Sequence, residues 1–254
     1  MSPPLLAPTI EDSEFVVVSH TWRTSVIAEI GLRPTAQELG YLPGQYLLVN
    51  DLSYQIPVRS YSVANAPQPD GRISLLVTHV PGGRTSTWLT RELAVGDHAV
   101  ISGPYGTFVR DSEVATPVVC LAGGSGLAPI RALAQAAAAA PLDAPFTVVF
   151  SARTESDVFN QETFEVWSAA DDNFRFVRTL TRAEGERPLG HVTDMLSTLF
   201  PDLSGHDVFI AGSPGFVRSS AVAARQLGAL PQRLFTEEFF AEPSPWTQAT
   251  KKGN

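Results

Sequence analysis

A single cysteine stands among the 254 residues of this chain. One thiol cannot close an intramolecular disulfide, and it cannot supply a four-cysteine zinc site or iron–sulfur cluster. Cys120, inside the apolar "PVVCLAGG", reads as a small buried hydrophobe. Long apolar runs are also missing, since no stretch approaches the ~20 residues a membrane helix requires. The opening "MSPPLLAPTIEDSE" has neither a basic leading segment nor an apolar centre, so no secretory signal is expected. Positive charge is in deficit, with 18 Lys and Arg against 26 Asp and Glu and a formal net charge of −8. Nucleic acid and anionic membrane both demand a net basic face, so neither is expected as a partner. The five histidines are scattered with no i, i+4 pair, and no metal is expected. "SGHD" at 204–207 gathers Ser, His and Asp in one place, whereas hydrolytic triads are assembled from distant segments, so it reads as a loop. The expected compartment is the cytoplasm.

What remains is an ordinary globular composition, 44% hydrophobic and long enough for two domains. The chain changes character near residue 112. Before it come short alternating runs, "EFVVVSH", "TSVIAEIGL", "GQYLLVN", "ISLLVTHV" and "DHAVISG", with one helical interruption, "TSTWLTREL" at 85–93. That spacing predicts an antiparallel barrel or sandwich, and a barrel is the expectation taken forward. After it, strands alternate with helices from "PVVCLAG" to "GFVRSSAVAARQLGA", which predicts a doubly wound parallel α/β domain. The alanines at 136–140 extend the first of those helices. The expected division is an N-terminal extension (1–11), a barrel (12–112), an α/β domain (113–241) and a loosely held Pro-rich tail (242–254).

Three segments carry chemistry. In "GGSGLAPIRAL", Gly123, Gly124 and Gly126 let the backbone approach a ligand, and the following helix start suits an anion such as a pyrophosphate. Pro129 stands where the dinucleotide fingerprint has its third glycine, and a tight structural turn would read the same way. In "VPGGRTSTWLTREL", Gly82 and Gly83 turn the chain, and Thr85, Ser86 or Thr87 can cap a helix. A plain capped helix explains that segment equally well. "RSYS" offers a forked guanidinium at Arg59, a stacking face at Tyr61 and a hydroxyl at Ser62, or else a polar edge strand.

In this order the motifs resemble the ferredoxin–NADP reductase family, in particular the flavin reductase components of bacterial oxygenases. The resemblance spans roughly residues 12–240 and rests on "PGQY", "RSYS", "GGRTSTWL", "GPYGTF", "GGSGLAP", "AGSPGFV" and "TEEFF". It implies a flavoenzyme that holds FAD in the barrel, takes hydride from NADH or NADPH, and passes single electrons to a separate ferredoxin or oxygenase component. By the same resemblance Arg59 and Ser86 hold the FAD pyrophosphate, Tyr61 stacks on the isoalloxazine and Ser62 bonds near its N5. Ser60, Thr78, Val80, Gly83, Thr85 and Thr87 complete that cradle. Gly123, Gly124, Gly126 and Pro129 bind the dinucleotide, Gly212 and Pro214 steer the nicotinamide, and Glu237 and Phe239 close the flavin pocket. Ser62, Tyr61 and Glu237 are the expected catalytic residues.

The chain departs from the family at Ala128, where threonine is frequent, and at Ala211, where a cysteine is usual; it also carries no cysteine-rich ferredoxin domain. Ala211 leaves room for a non-catalytic nucleotide-binding subunit, and an NAD(P)H:flavin reductase that releases reduced flavin is the other alternative. In "FSARTESD", Arg153, with Arg182 nearby, permits NADPH, while Glu155 and Asp157 permit NADH. Analogy with oxygenase reductases leans toward NADH.

Overall fold

The computed structural model describes residues 12–111, 114–182 and 190–240. The extension (1–11), the tail (242–254) and the junction at 112–113 lie outside the described residues.

In the first half, strands β1 (Ser13–Trp22), β2 (Ile27–Pro34), β3 (Tyr46–Asn50), β4 (Arg59–Ser62), β5 (Ile73–Thr78) and β6 (His98–Tyr105) form one antiparallel sheet. Their order is β4-β3-β6-β1-β2-β5. The two edges meet through a Val63–Leu75 bridge and a 2.7 Å hydrogen bond from Ala64 N to Ser74 O, so the sheet curls into a barrel. Period-two alternation drives this closure. Phe15, Ile30, Leu47, Ile73, Leu75 and Ile101 point inward and are fully buried, while their neighbours face out. "RSYS" is itself a strand, paired Tyr46–Ser62 and Leu47–Tyr61 with β3. As the edge strand of the sheet, it keeps one side open for polar side chains.

The expected helix at 85–93 is instead a short α1 (Arg84–Thr87) running into a wide π-turn at Trp88–Glu92. The hydroxyl of Thr90 donates to Ser86 O at 2.6 Å, and Leu93 N reaches back five residues to Trp88 O. Thr90 thereby takes up a carbonyl on which a regular helix relies.

The second half alternates β7 (Val118–Gly123), α2 (Leu127–Ala137), β8 (Phe146–Ala152), α3 (Gln161–Ala170), β9 (Phe174–Leu180), α4 (Val192–Leu199), β10 (Asp207–Gly212), α5 (Pro214–Gln226) and β11 (Leu234–Glu238). All five strands are parallel, in the order β11-β10-β7-β8-β9. With helices on both faces, β8 is buried along its whole length, which is why it reads as an unbroken apolar run. Cys120 sits inside β7, fully buried, and burial pushes its thiol well above the ordinary range. α2 stops at Ala137 and does not extend through the alanine run, because Pro141 disfavours helical geometry at the residue before it. The "TEEFF" segment supplies an additional strand, β11, that joins the sheet beside β10. The strand order reverses between β7 and β10, and a crevice opens there at the carboxyl ends of the strands, the usual ligand position in such sheets.

Away from the cleft, an aromatic cluster and a set of polar bonds from α2 tie the halves together. Phe108, on the junction loop, packs edge-on against Phe209 at 5.1 Å, and Phe235 stacks on the same ring at 4.5 Å. Arg131 of α2 is buried and enters the barrel. It donates to Ala64 O, to Glu29 Oε1 on β2 at 2.6 Å, and to Asn160 Oδ1 at 3.2 Å. One turn later Gln135 accepts from Ala66 N at 3.0 Å. Burial pushes the Glu29 carboxyl up, but the guanidiniums of Arg131 and Arg23 outweigh it and hold it below the usual carboxylate range.

Candidate functional site

A cleft of about 1600 Å3 runs between the barrel and the α/β half. Small-molecule pockets commonly occupy about 300–1000 Å3, so this one has the capacity for two nucleotides side by side.

The barrel wall consists of Arg59, Ser60, Tyr61 and Ser62 on β4, Thr78 to Val80 after β5, and the turn at 82–86. Gly82 sits at φ +79 with open space where a Cβ would stand. Gly83 has no such room: a Cβ there would come within 2.7 Å of Ser86 Oγ. That hydroxyl accepts from Val80 N at 3.2 Å and lies 3.3 Å from Gly83 O, so Ser86 holds the turn shut. Thr85 ties the same turn to Pro57 O. The hydroxyls expected to reach a pyrophosphate thus shape the turn, and two exposed arginines stand beside it with only backbone carbonyls as partners among the described residues: Arg59, bonded to Val58 O at 3.0 Å, and Arg84, bonded to Gln55 O at 2.8 Å. Tyr61 is half-buried; burial raises its phenol, and the charge of Arg59 offsets part of the rise.

At one end of the cleft the two halves touch through side chains. Ser62 Oγ donates to Glu237 Oε1 of β11 at 2.5 Å. Glu237 Oε2 is buried and has no hydrogen-bond partner among the described residues. Burial pushes this carboxyl up to about 7, the Ser62 hydrogen bond pulling it partly back. Further along, Thr78 Oγ1 donates to Ser125 Oγ at 2.8 Å.

The α/β wall includes Gly123, Gly124 and Ser125, the β8 end from Ser151 to Arg153, Asp157, Thr181, His191 and Thr193, with Ser213 just before α5 and Gly215 and Phe216 on it. Gly124 sits at φ +57 facing open space, as a residue under a close ligand would. Several sequence-predicted residues do not line this wall. Gly126 lies behind it, where a Cβ would meet Ala211 O at 2.2 Å, so its glycine serves close packing of α2 on β10. Pro129 is buried in α2, and Thr87, Gly212 and Pro214 also stand outside the lining. Phe216, which the motifs did not single out, takes their place. Its ring lies 3.1 Å from where a Gly123 Cβ would stand and 2.9 Å from that of Gly212. The one sequence signal for it is an aromatic two residues after the proline of "GSPGF". Ala211 is wholly buried within β10 and does not line the cleft. Phe239 lines the cleft and is anchored by its N–H to Gly212 O at 2.7 Å.

These residues fit a flavin dinucleotide on the barrel side. The open arginines, the half-buried aromatic, the turn at Gly82 and the orphaned Glu237 oxygen are what a planar, doubly phosphorylated ligand would engage. No group of three His, Cys, Asp or Glu among the described residues could hold a metal, and no described helix is long and apolar enough to cross a membrane.

Comparison with known proteins agrees with this division. Residues 14–109 match the oxidoreductase FAD-binding domain, and residues 120–221 match the oxidoreductase NAD-binding domain. The chain is 32% identical over 232 residues to the reductase component 1 of a Comamonas terephthalate 1,2-dioxygenase, covering 90% of this chain and 68% of that protein. It is 31% identical over 208 residues to the ferredoxin–NAD(P)(+) reductase component of naphthalene 1,2-dioxygenase/salicylate 5-hydroxylase systems from Ralstonia, covering 81% of this chain and 62% of that one. Among solved structures, the ferredoxin reductase in carbazole 1,9a-dioxygenase superposes with a TM-score of 0.81 at 25% identity, covering 92% of this chain and 71% of that one. An Amycolatopsis cytochrome P450 reductase reaches 0.84 at 27%, with the same two coverages. Fold, cleft and relatives converge: the chain belongs to the FAD- and NAD(P)-binding reductase family of oxygenase systems, and it is an NAD(P)H-dependent flavoprotein oxidoreductase.

Proposed function

We propose that the chain draws electrons from a nicotinamide dinucleotide and delivers them, through FAD, to a separate ferredoxin or oxygenase component. Bound FAD supplies the two-electron to one-electron conversion, and the protein supplies position and electrostatics. Arg59 would pair with the pyrophosphate, Tyr61 would offer its face to the ring system, and the Gly123–Ser125 loop would receive the dinucleotide. Ser62 and Glu237 form a hydroxyl–carboxyl pair at the point where the two binding regions meet. A carboxyl with a value near 7 carries a proton about half the time at neutral pH, so this pair can hold or release one beside the cofactor.

The observation that carries the reading is the Ser62–Glu237 contact. It joins the flavin-side strand to the sheet that receives the dinucleotide, and it leaves one buried oxygen aimed at neither protein partner. The reductase components named above support the choice of acceptor.

The test is to purify the protein, record its flavin spectrum before and after desalting, and follow anaerobic bleaching by NADH and by NADPH. Retained FAD that bleaches, with ferricyanide restoring the colour, is expected. Flavin lost on desalting would favour a reductase that releases it. Arg59→Ala should retain its fold by circular dichroism but lose most of its FAD; full flavin content would overturn the role of that arginine.

A further inference from the structure

Which dinucleotide the cleft prefers is decided at the ends of β8 and β9, on the far side of the sheet from Glu237. A ribose 2′-hydroxyl is recognised by a free carboxylate there, and a 2′-phosphate by a free arginine. The sequence offers both, Arg153 against Glu155 and Asp157, and the structure separates them by what each already does.

Glu155 is turned away. Its carboxylate is ion-paired with Arg178 on β9, and it does not line the cleft. Asp157 does line it, but its Oδ2 accepts from Thr154 N at 3.1 Å and from Thr154 Oγ1 at 2.8 Å. That carboxylate is the cap of the short turn after β8. Arg153 is different. Its backbone is fixed, because its carbonyl accepts from Arg182 N at 2.8 Å. Its side chain is exposed, lines the cleft and has no hydrogen-bond or ion-pair partner among the described residues. Thr181, His191 and Thr193 line the same cleft with further donors.

We infer that this chain prefers NADPH to NADH, with Arg153 as the specificity-determining residue that pairs with the 2′-phosphate. The inference rests on the reductase reading above and deepens it. It reverses the lean toward NADH, which came from analogy alone. An unpaired guanidinium in a cleft attracts a dianionic phosphate through a charge-assisted, forked contact, and it gains nothing comparable from a hydroxyl. Asp157, held in its turn through Oδ2, has only Oδ1 left to offer a ribose hydroxyl, a weaker attraction than that of an unpaired guanidinium for a dianion.

Two measurements on the full-length holoprotein test this. In steady-state ferricyanide reduction, kcat/KM for NADPH should exceed that for NADH by about tenfold or more, chiefly through KM. Arg153→Ala should lower the NADPH/NADH ratio of kcat/KM by about tenfold, Arg153→Lys by less, and Arg153→Glu should invert it. In calorimetry, which does not depend on turnover, adenosine 2′,5′-bisphosphate should bind the wild type about tenfold more tightly than AMP, and Arg153→Ala should erase that difference. Equal or better use of NADH, with no advantage for the 2′-phosphate in binding, would overturn the inference and leave the reductase reading standing. Oxidation of neither dinucleotide would instead overturn the reading on which it rests.

Discussion

β4 and β7 reach the same cleft from opposite sides, and they are built on opposite plans. β4 is a four-residue edge strand whose side chains face the ligand space: Arg59, Tyr61 and Ser62. β7 is buried from Val118 to Ala122 and contributes its end and the following glycine loop. The barrel therefore presents mainly side chains to the cleft, while the sheet presents backbone and small residues near β7 and longer side chains, Arg153 among them, toward β8 and β9. The halves also differ in how they are fastened. Barrel closure needs only strand pairing, whereas the sheet is set against it by the buried Arg131 and by the Phe108–Phe209–Phe235 cluster.

The largest expected effect tests that fastening. Arg131→Met removes the guanidinium and strands Glu29 in a partly buried place, and should destabilise the protein by about 3–5 kcal/mol in urea unfolding. The double variant Arg131→Met with Glu29→Met should recover much of this loss. A single variant as stable as wild type would show that the halves dock without the arginine.

Next comes the point where the two plans meet. Glu237→Gln should slow flavin reduction by about a hundredfold and flatten its pH profile near neutrality. The sign for stability follows from the same shift. The folded-state value, about 7, lies above the ordinary 4.5, so the contribution of this proton is complete below about 4.5 and lost as pH rises through 7. Thermal melting at pH 8 should thus favour the glutamine variant relative to wild type, and at pH 4 the advantage should vanish. A melting difference that does not vary with pH would remove Glu237 as the titrating group.

Gly126→Ala probes the backbone plan. Its new methyl group would sit 2.2 Å from a backbone oxygen that cannot move aside, and it should cost about 1–3 kcal/mol by denaturant midpoint. The same change at Gly124 fills open space, and its effect should appear in dinucleotide KM more than in folding. The smallest effect belongs to Thr78→Val, which deletes the 2.8 Å bond to Ser125 and should lower stability by about 1 kcal/mol.

Much of this was legible in the residues. The barrel strands announced themselves by alternation, the parallel strands by uniform apolarity, and the cleft-lining side chains Arg59, Tyr61 and Ser62 by being out of place in a sheet pattern. Less legible were the roles of small residues. Gly123, Gly124 and Gly126 look equivalent in sequence, yet only the first two border the cleft, because which way a missing side chain would point depends on a neighbouring strand 85 or more residues later (Ala211). Ser86 and Thr85 look like ligand hydroxyls, and the structure also makes them braces of their own turn. The choice between Arg153 and the acids beside it was hidden as well, since sequence cannot say which carboxylate is already occupied. Phe216 and Arg131 were missed because nothing local distinguishes a cleft-lining aromatic or a buried arginine from ordinary helix residues.

The bond between Ser62 and Glu237 spans 175 positions of chain. A barrel that had formed by itself could load its yellow cofactor but would lack the carboxyl, which arrives only once the opposite sheet is complete and seated. With the role proposed for that pair, full turnover would require the seated sheet, and a rate measurement would double as a gauge of interdomain docking.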